Sequence, residues 1–461
     1  MIDVNVKKDK KKFLSQLEYL VENFLDNKYE HVISISHNDA DGFSSSALIQ
    51  NLLFKLQIPF EYHIFNLAQS WKNYLKEFFP KLGNKKKAFI FTDIGSNVSE
   101  IIQIIKDRKE DFFILDHHEI DKNIEDLEIP DNLFLLNPTI YGFDGLSDIA
   151  GATLAYMFAK RIKPSIIKLG WLAILGISGD SLKSMDKLAS FNKEVYEEII
   201  EEGILLELDG LTLFGGMHET IKEGLRYSIL PFIKEIEGDL QKSKKILRKL
   251  KIDENRLVIK FNSDEIEKLQ GSINANIIGK SAIFPKKSGL LKFVFEHSLL
   301  LNILGFNNIN AAFDLLQRPN ITLYSKKMYY DYIKNLIRNL STISRIQKEV
   351  SEKAIIINAE GKIPPSNWSD TSSFATVNEI LDPNKMLLLG GEEQRYHMIK
   401  LSVRCSNKYL EKYPGKGANY VIENIKKDLG GIGGGHKLAG GIKISPNSFH
   451  ILRENIDKFL E

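Results

Sequence analysis

VISISHNDADGFSSSALIQ, residues 32–50, is the stretch from which the fold is read. The run Val32–Ser36 predicts a strand. It ends on His37-Asn38-Asp39-Ala40-Asp41-Gly42, and an apolar helical pattern begins at once. Acidic side chains and a histidine are thereby delivered at the carboxyl end of a strand, where open α/β sheets bind their ligands. Alternate residues of an extended segment point the same way, so Asp39 and Asp41 share a face of the loop. Taken alone, the same residues also make an ordinary capped turn.

The arrangement recurs. AFIFTDIGSN ends an apolar run on Asp93, FFILDHHEI ends one on Asp116, His117 and His118, and LAILGISGDS ends one on Asp180. Strands are expected over 32–36, 88–92, 112–115 and 133–136, with helices over 14–25, 43–56, 71–79 and 98–106. Strands alternating with helices predict an α/β fold with a parallel sheet covered on both faces. Such a sheet brings consecutive strand ends together. Several carboxylates meeting there would repel one another, and burial would raise their pKa values, unless cations neutralise them. A metal site resolves the conflict.

Histidines mixed with carboxylates, and only one cysteine in the chain (Cys405), disfavour zinc-finger chemistry and an all-oxygen calcium cage. The set suits Mn²⁺, with Mg²⁺ or Co²⁺ as substitutes. Six or seven ligands are too many for one open catalytic ion and suit two, about 3.5–4 Å apart. The chemistry expected is hydrolysis of a phosphoester or phosphoanhydride.

The chain has 461 residues, enough for about three domains at roughly 150 residues each. With 62 Lys and Arg against 60 Asp and Glu the formal charge is +2, which excludes a histone-like or strongly acidic protein. It does not exclude a nucleic-acid enzyme, for which only local charge matters. A lone cysteine rules out an intramolecular disulfide. Apolar runs such as 169–177 fall far short of the roughly 18 residues of a membrane span, and the charged N-terminus has no signal-peptide core. A soluble, cytoplasmic protein without membrane partners is expected.

HNDADG, FTDIGS, LDHH and GISGD, in this order and at this spacing, resemble the four motifs of the DHH phosphoesterases. The resemblance implies one metal on His37 and Asp39, a second on Asp41, His117 and Asp180, and Asp93 bridging them. It further implies that Asp116 orients a metal-binding histidine, and that His118 faces the scissile phosphate.

Near the other end, DLGGIGGGHKLAGGIKI (428–444) resembles the substrate-binding motif of a DHHA1 domain. Successive glycines let backbone N–H groups meet an anion. Gly433, Gly434, Gly435 and His436 are the candidate substrate contacts. KLSVRCS (400–406) resembles the same domain's S-x-R strand and adds Ser402 and Arg404, the latter for its forked geometry.

Together the motifs resemble the archaeal RecJ-like, GINS-associated nucleases, over roughly 30–235 and 354–445. The implied organisation is a DHH catalytic domain (1–196), a mostly helical insertion (197–325), a linking helix (326–353) and a DHHA1 domain (354–461), with a cleft between the catalytic and DHHA1 domains. The implied function is a Mn²⁺-dependent, single-strand-specific exonuclease, acting 5′→3′ on DNA and also on RNA, in replication or repair, with GINS and other replisome components as partners. The rivals are a phosphodiesterase for short oligonucleotides or cyclic dinucleotides and a replisome scaffold of the same fold.

One departure stands out. LNILGFNN (301–308) puts Phe306 where the family usually has an arginine. The ring either stacks on a base or belongs to the core, where phenylalanine is common. The lysine clusters at 7–12, 84–87 and 244–251 are read as solvated surface, and Tyr329, Tyr330 and Tyr332 as a core stripe.

Overall fold

A computed structural model describes residues 8–65, 71–76, 78–79, 86–121, 124–145, 147–181, 185–318, 320–393 and 397–461. The lysines at 7 and 85 and residue 77 of the expected 71–79 helix lie outside the described residues.

Helix α1 (Lys10–Asp26) buries Phe13, Leu17, Leu20, Val21 and Phe24, one stripe at helical spacing, and Asp9 caps its first turn. Then β1 (His31–Ser36), α2 (Ala40–Lys55), β2 (Phe60–Ile64), α3 (Trp71–Lys76), β3 (Lys87–Thr92), α4 (Val98–Ile105), β4 (Asp111–Leu115) and β5 (Leu133–Leu136) alternate. All five strands are parallel, in the order β2-β1-β3-β4-β5. The α/β expectation and its four strands are borne out. The sequence reading missed β2, an edge strand whose Glu61 and Tyr62 are exposed.

The pleat sorts the side chains. Ile33, Ile35, Phe89, Phe91, Phe112, Ile114, Leu133 and Leu135 face α3 and α4 in one apolar cluster. Phe113, on the other face, meets Phe24 of α1 at 5.6 Å between ring centroids. From β1 the chain steps to β2 on one side and then to β3 on the other. The ends of β1 and β3 therefore flank the switch point, the position where such sheets hold ligands.

The chain continues through α5 (Gly151–Ile162), α6 (Trp171–Ser181), α7 (Ser190–Glu201) and β6 (Leu206–Leu211). Next come α8 (Ile221–Tyr227), α9 (Leu240–Leu250), α10 (Ser263–Gln270) and β7 (Ile278–Ile283), which pairs with β6. Then follow α11 (Val294–Asn307), α12 (Ile309–Gln317) and the long α13 (Leu323–Arg345). The expected stripe of α13, Tyr329, Ile333, Leu336, Leu340 and Ile343, is buried.

Two compact units result: residues 1–210 with 279–329, and 211–278 with 330–461. The stretch 197–325, expected as one insertion, is shared between them. In the second unit β8 (Glu349–Val350), β9 (Ala354–Asn358), α14 (Trp368–Val377), β10 (Met386–Glu393) and β11 (Met398–Arg404) lead on to α15 (Asn407–Lys412) and α16 (Ala418–Leu429). The chain closes with β12 (Ile432–Gly435), β13 (Ala439–Ile444) and α17 (Pro446–Phe459). The mixed sheet runs β12-β13-β11-β10-β9-β8. Leu401 and Val403 of β11 join Val421, Ile422, Leu452 and Ile456 in its core.

Among the described residues no helix is long and apolar enough to cross a membrane.

Candidate metal centre

Motif one leaves β1 through His37 and re-enters helix at α2, with Asp39 as its N-cap accepting from Gly42 N–H at 2.9 Å. Ser36 Oγ ties the turn to its neighbour, donating to the carbonyls of Gly42 (2.7 Å) and Thr92 (3.0 Å). Asp93, just past β3, sits at φ +59°, in the left-handed region that L-residues rarely occupy. Strain of that kind collects at functional sites.

Three sets of ligating atoms each lie within 4.8 Å of one another: His37, Asp39 and Asp93; Asp41, His117 and Asp180; and Asp93, Asp116, His117 and His118. His117 Nε2 is 2.9 Å from Asp93, 3.4 Å from Asp180 and 3.7 Å from Asp41. His37 Nδ1 is 2.6 Å from Asp39 and 3.7 Å from Asp93. All eight metal and catalytic candidates of the first unit thus converge, with Asp93 common to two sets.

These residues fit divalent ions on their own electrostatics. Asp93 is 1% exposed, and among the described residues its Oδ2 has no hydrogen-bond partner. Burial, then Asp41 and Asp39, hold the Asp93 carboxyl well above the usual carboxylate range. Burial pushes Asp41 up to about 6 against the pull of His117, with Asp39 adding to the rise. Burial and Asp41 push Asp180 up to about 7. Asp39 is half-buried, yet His37 beside it outweighs the cost of desolvation and holds it below the ordinary range. Without cations the cluster keeps protons that acids normally lose.

Two details differ from expectation. Asp180 does not stand at a strand end: it lies in the last turn of α6, a helix apolar on most of its surface. An apolar run that short cannot be told from a buried strand by periodicity. Asp116 makes its ring contact to His118, not to metal-ligating His117: Oδ1 is 2.6 Å from His118 Nδ1, while His117 gives it only a backbone N–H at 2.8 Å. The His117 ring is instead oriented by the Gly145 carbonyl, 2.5 Å from Nδ1.

The surrounding shell was invisible to local reading. Asp41 accepts from the N–H groups of Gly151 (2.7 Å) and Ala152 (2.8 Å), at the start of α5. Buried Asn137 donates to Ser96 Oγ and to the His118 carbonyl, and Ser96 Oγ donates to Asp116 at 2.6 Å. Ala40 N–H is received by Asn302 of α11 at 2.5 Å. A Cβ at Gly151 would lie 2.7 Å from Asp93 Cβ and 3.0 Å from Asp41 Oδ2. Gly151→Ala is therefore expected to push both acids apart and weaken Mn²⁺ binding about 10–100-fold, as read by calorimetric titration.

Phe306 is not a core residue. It is 71% exposed on α11, next to Gly305, where a Cβ would stand 2.5 Å from the Phe43 ring and 2.9 Å from the Asn38 carbonyl oxygen. Gly305 packs against motif one, and the Phe306 ring next to it faces solvent.

The candidate substrate contacts lie in the second unit. Gly430 and Gly431 turn the chain out of α16 at φ +72° and +120°, and Gly433–Gly435 form edge strand β12. Gly434 pairs with Gly441 and Gly435 with Gly440. A Cβ at Gly433 or Gly435 would strike β13, but at Gly434 it would meet open space. His436 N–H donates to the Ala439 carbonyl. Ser402 and Arg404 are buried, and the guanidinium is fully engaged: Nε donates to Ser373 Oγ, Nη1 to the carbonyls of Val403 and Gly440, and Nη2 to Ser369 Oγ. The forked donors expected to grip a phosphate instead fasten α14 and β13 together. Tyr329 is buried, whereas the hydroxyls of Tyr330 and Tyr332 donate to Glu219 and Asp370. Of the lysines read as surface, Lys8 pairs with Asp148 and Lys244 with Glu254.

No family model matches the chain. In its fold the chain resembles solved structures that include RecJ and a DHH domain. A structure of CDC45 from Entamoeba histolytica superposes with a TM-score of 0.63 at 12% identity, over 97% of this chain and 98% of that one. RecJ from Thermus thermophilus, solved with Mn²⁺, gives 0.54 at 14% identity, over 99% of this chain and 56% of RecJ. The DHH domain of a protein described as a member of the S1p family of ribosomal proteins gives 0.55 at 15% identity, over 98% and 91%. An uncharacterized protein of Methanocaldococcus jannaschii is 25% identical over 465 residues, 98% of each chain.

Proposed function

We propose that this protein is a hydrolase of phosphodiester bonds that removes nucleotides from an end of single-stranded DNA or RNA, with two divalent ions and a preference for Mn²⁺. The observation that carries this reading is the convergence of His37, Asp39 and Asp93 in one ligand set and Asp41, His117 and Asp180 in another, with Asp93 2.9 Å from His117. His37 and Asp39 would hold one ion and Asp41, His117 and Asp180 the other, with Asp93 within reach of both sets. Such ions supply Lewis-acid polarisation of phosphoryl oxygens and lower the pKa of water.

The chain's own groups position the rest. Asp116 Oδ1 holds the proton on His118 Nδ1 and so fixes a ring that is more exposed than that of His117, 28% against 3%, beside Asp93. Gly433 and Gly435, whose N–H groups point away from the ladder, and His436 on the open edge of the second unit's sheet offer backbone and side-chain donors to a phosphate. Arg404 supports them through Gly440, the partner of Gly435. The Mn²⁺ in the Thermus thermophilus RecJ structure supports the choice of metal.

The test is digestion of 5′- and 3′-labelled single strands with Mn²⁺. Release of mononucleotides from the 5′ end of DNA is expected, and preference for dimers over 20-mers would sink the exonuclease reading. A scaffold of the same fold has no need of six converging metal-ligating side chains, so catalysis ranks first. Replisome components such as GINS are compatible as partners of an active enzyme. Phe306→Ala is expected to weaken binding of a single-stranded oligonucleotide by about 1–3 kcal/mol, the worth of one stacked base, as measured by fluorescence anisotropy in EDTA.

A further inference from the structure

The whole chain carries a formal charge of only +2, but one surface of the second unit is far from neutral. A cavity of about 520 Å³ opens between the 226–242 segment and α13, and a second of about 400 Å³ continues it along the helix, sharing Arg338, Ser341 and Arg345. Six cations line the two: Arg226, Lys242, Lys334, Arg338, Arg345 and Lys362. Among the described residues, the only carboxylates in the lining are Glu237 and Asp239.

Both acids are already committed. Glu237 is met by Arg345 and, at 3.6 Å, by Lys242. Asp239 caps α9, accepting from the N–H groups of Gln241 and Lys242. Arg226 pairs with Glu223 outside the lining. Lys334, Arg338 and Lys362 are exposed and have no carboxylate within 4.0 Å among the described residues.

The trough has a regular geometry. Positions 334, 338, 341 and 345 follow one face of α13, over about 16 Å at 1.5 Å per residue. Its wall is fixed by Gly238 at φ +76°, where a Cβ would lie 2.8 Å from Ile337 Cγ2. Ser341 and Thr342 add hydroxyls, and Tyr227 adds a half-buried ring with the Arg226 guanidinium 5.0 Å from its centroid.

We propose that this trough is a binding track for the phosphate backbone of a single-stranded nucleic acid. Unpaired cations spaced along a helix, hydroxyl donors and an aromatic ring are the components that hold a strand without reading its sequence. An acidic peptide would use the charges but leaves the ring and the hydroxyls without a task. The track binds without hydrolysis, so it does not depend on the activity proposed above.

The test uses the full chain in EDTA and a fluorescent 20-mer of thymidylate, with anisotropy read between 50 and 200 mM salt. Each lost phosphate contact lowers the log–log salt slope by about 0.7 for a single strand. Lys334→Gln with Arg338→Gln is therefore expected to flatten the slope by about 1.4 and weaken binding about 25-fold at 0.1 M salt. The thermal melting midpoint in EDTA is expected to be unchanged in the same variant. Unaltered affinity and slope would overturn the proposal. So would tighter binding of a polyglutamate peptide than of the 20-mer, which would assign the trough to an acidic protein partner. A lowered melting midpoint alongside lost binding would overturn it too, by placing the damage in the fold rather than in the track.

Discussion

Asp93→Asn is expected to lower metal-dependent hydrolysis by at least about 10³-fold while making the metal-free protein more stable. Asparagine is among the few residues that tolerate a left-handed backbone, so φ +59° survives the exchange. The amide keeps the shape of the carboxylate but cannot neutralise two cations. About 4 kcal/mol of lost charge stabilisation corresponds to a factor of about 10³ in rate. In the metal-free state the same exchange removes a buried carboxyl crowded by Asp41 and Asp39. Labelled-strand digestion and a thermal melt in EDTA measure the two effects. Activity within tenfold of the parent would remove Asp93 from the centre of the mechanism.

The second large effect is a pH dependence that reverses with metal. Asp41 and Asp180 have folded-state pKa values raised to about 6 and about 7 by burial and neighbouring charge. Between an ordinary carboxyl value near 4 and those values, the folded state holds protons that the unfolded chain has released. Stability therefore falls as pH rises through that window. His117 acts in the same sense. Burial alone would lower its pKa, but Asp93 and Asp180 outweigh burial and raise it well above the ordinary value, so its contribution also fades as pH rises. The melting midpoint in EDTA is expected to drop from pH 5 to pH 8, by a few kcal/mol of stability. Ions compete with those protons, so Mn²⁺ should bind more tightly, and stabilise more, at pH 8 than at pH 5. Asp180→Asn should flatten the EDTA profile. A metal-free profile already flat across the range would contradict the crowding of the carboxylates.

Much of this site was legible because its ligands end apolar runs. Val32–Ser36, Ala88–Thr92 and Phe112–Leu115 announce buried parallel strands, and the residues just past their carboxyl ends must gather at one edge. Asp180 was found by the same rule for a different reason, since its run is a buried helix. The edge strand β2 escaped because half of it faces solvent. The bonds from Gly151 and Ala152 to Asp41 span 110 and 111 positions, and no local pattern predicts them. Arg404 shows the opposite limit: the residue type suits a phosphate, but besides the adjacent Val403 carbonyl its donors go to Ser369, Ser373 and Gly440, which no local pattern reveals. Phe306 was undecidable from sequence because exposure depends on how closely Gly305 meets motif one.

The hydrogen bond from Ala40 to Asn302 spans 262 positions. At roughly 5–20 residues per second, a ribosome needs about 13–50 s to make the stretch between them. Throughout that interval the metal-binding turn has left the ribosome without the side chain that secures it. A fragment ending at residue 210 would remain in that condition permanently. The nascent chain can carry the motif long before it can carry the site.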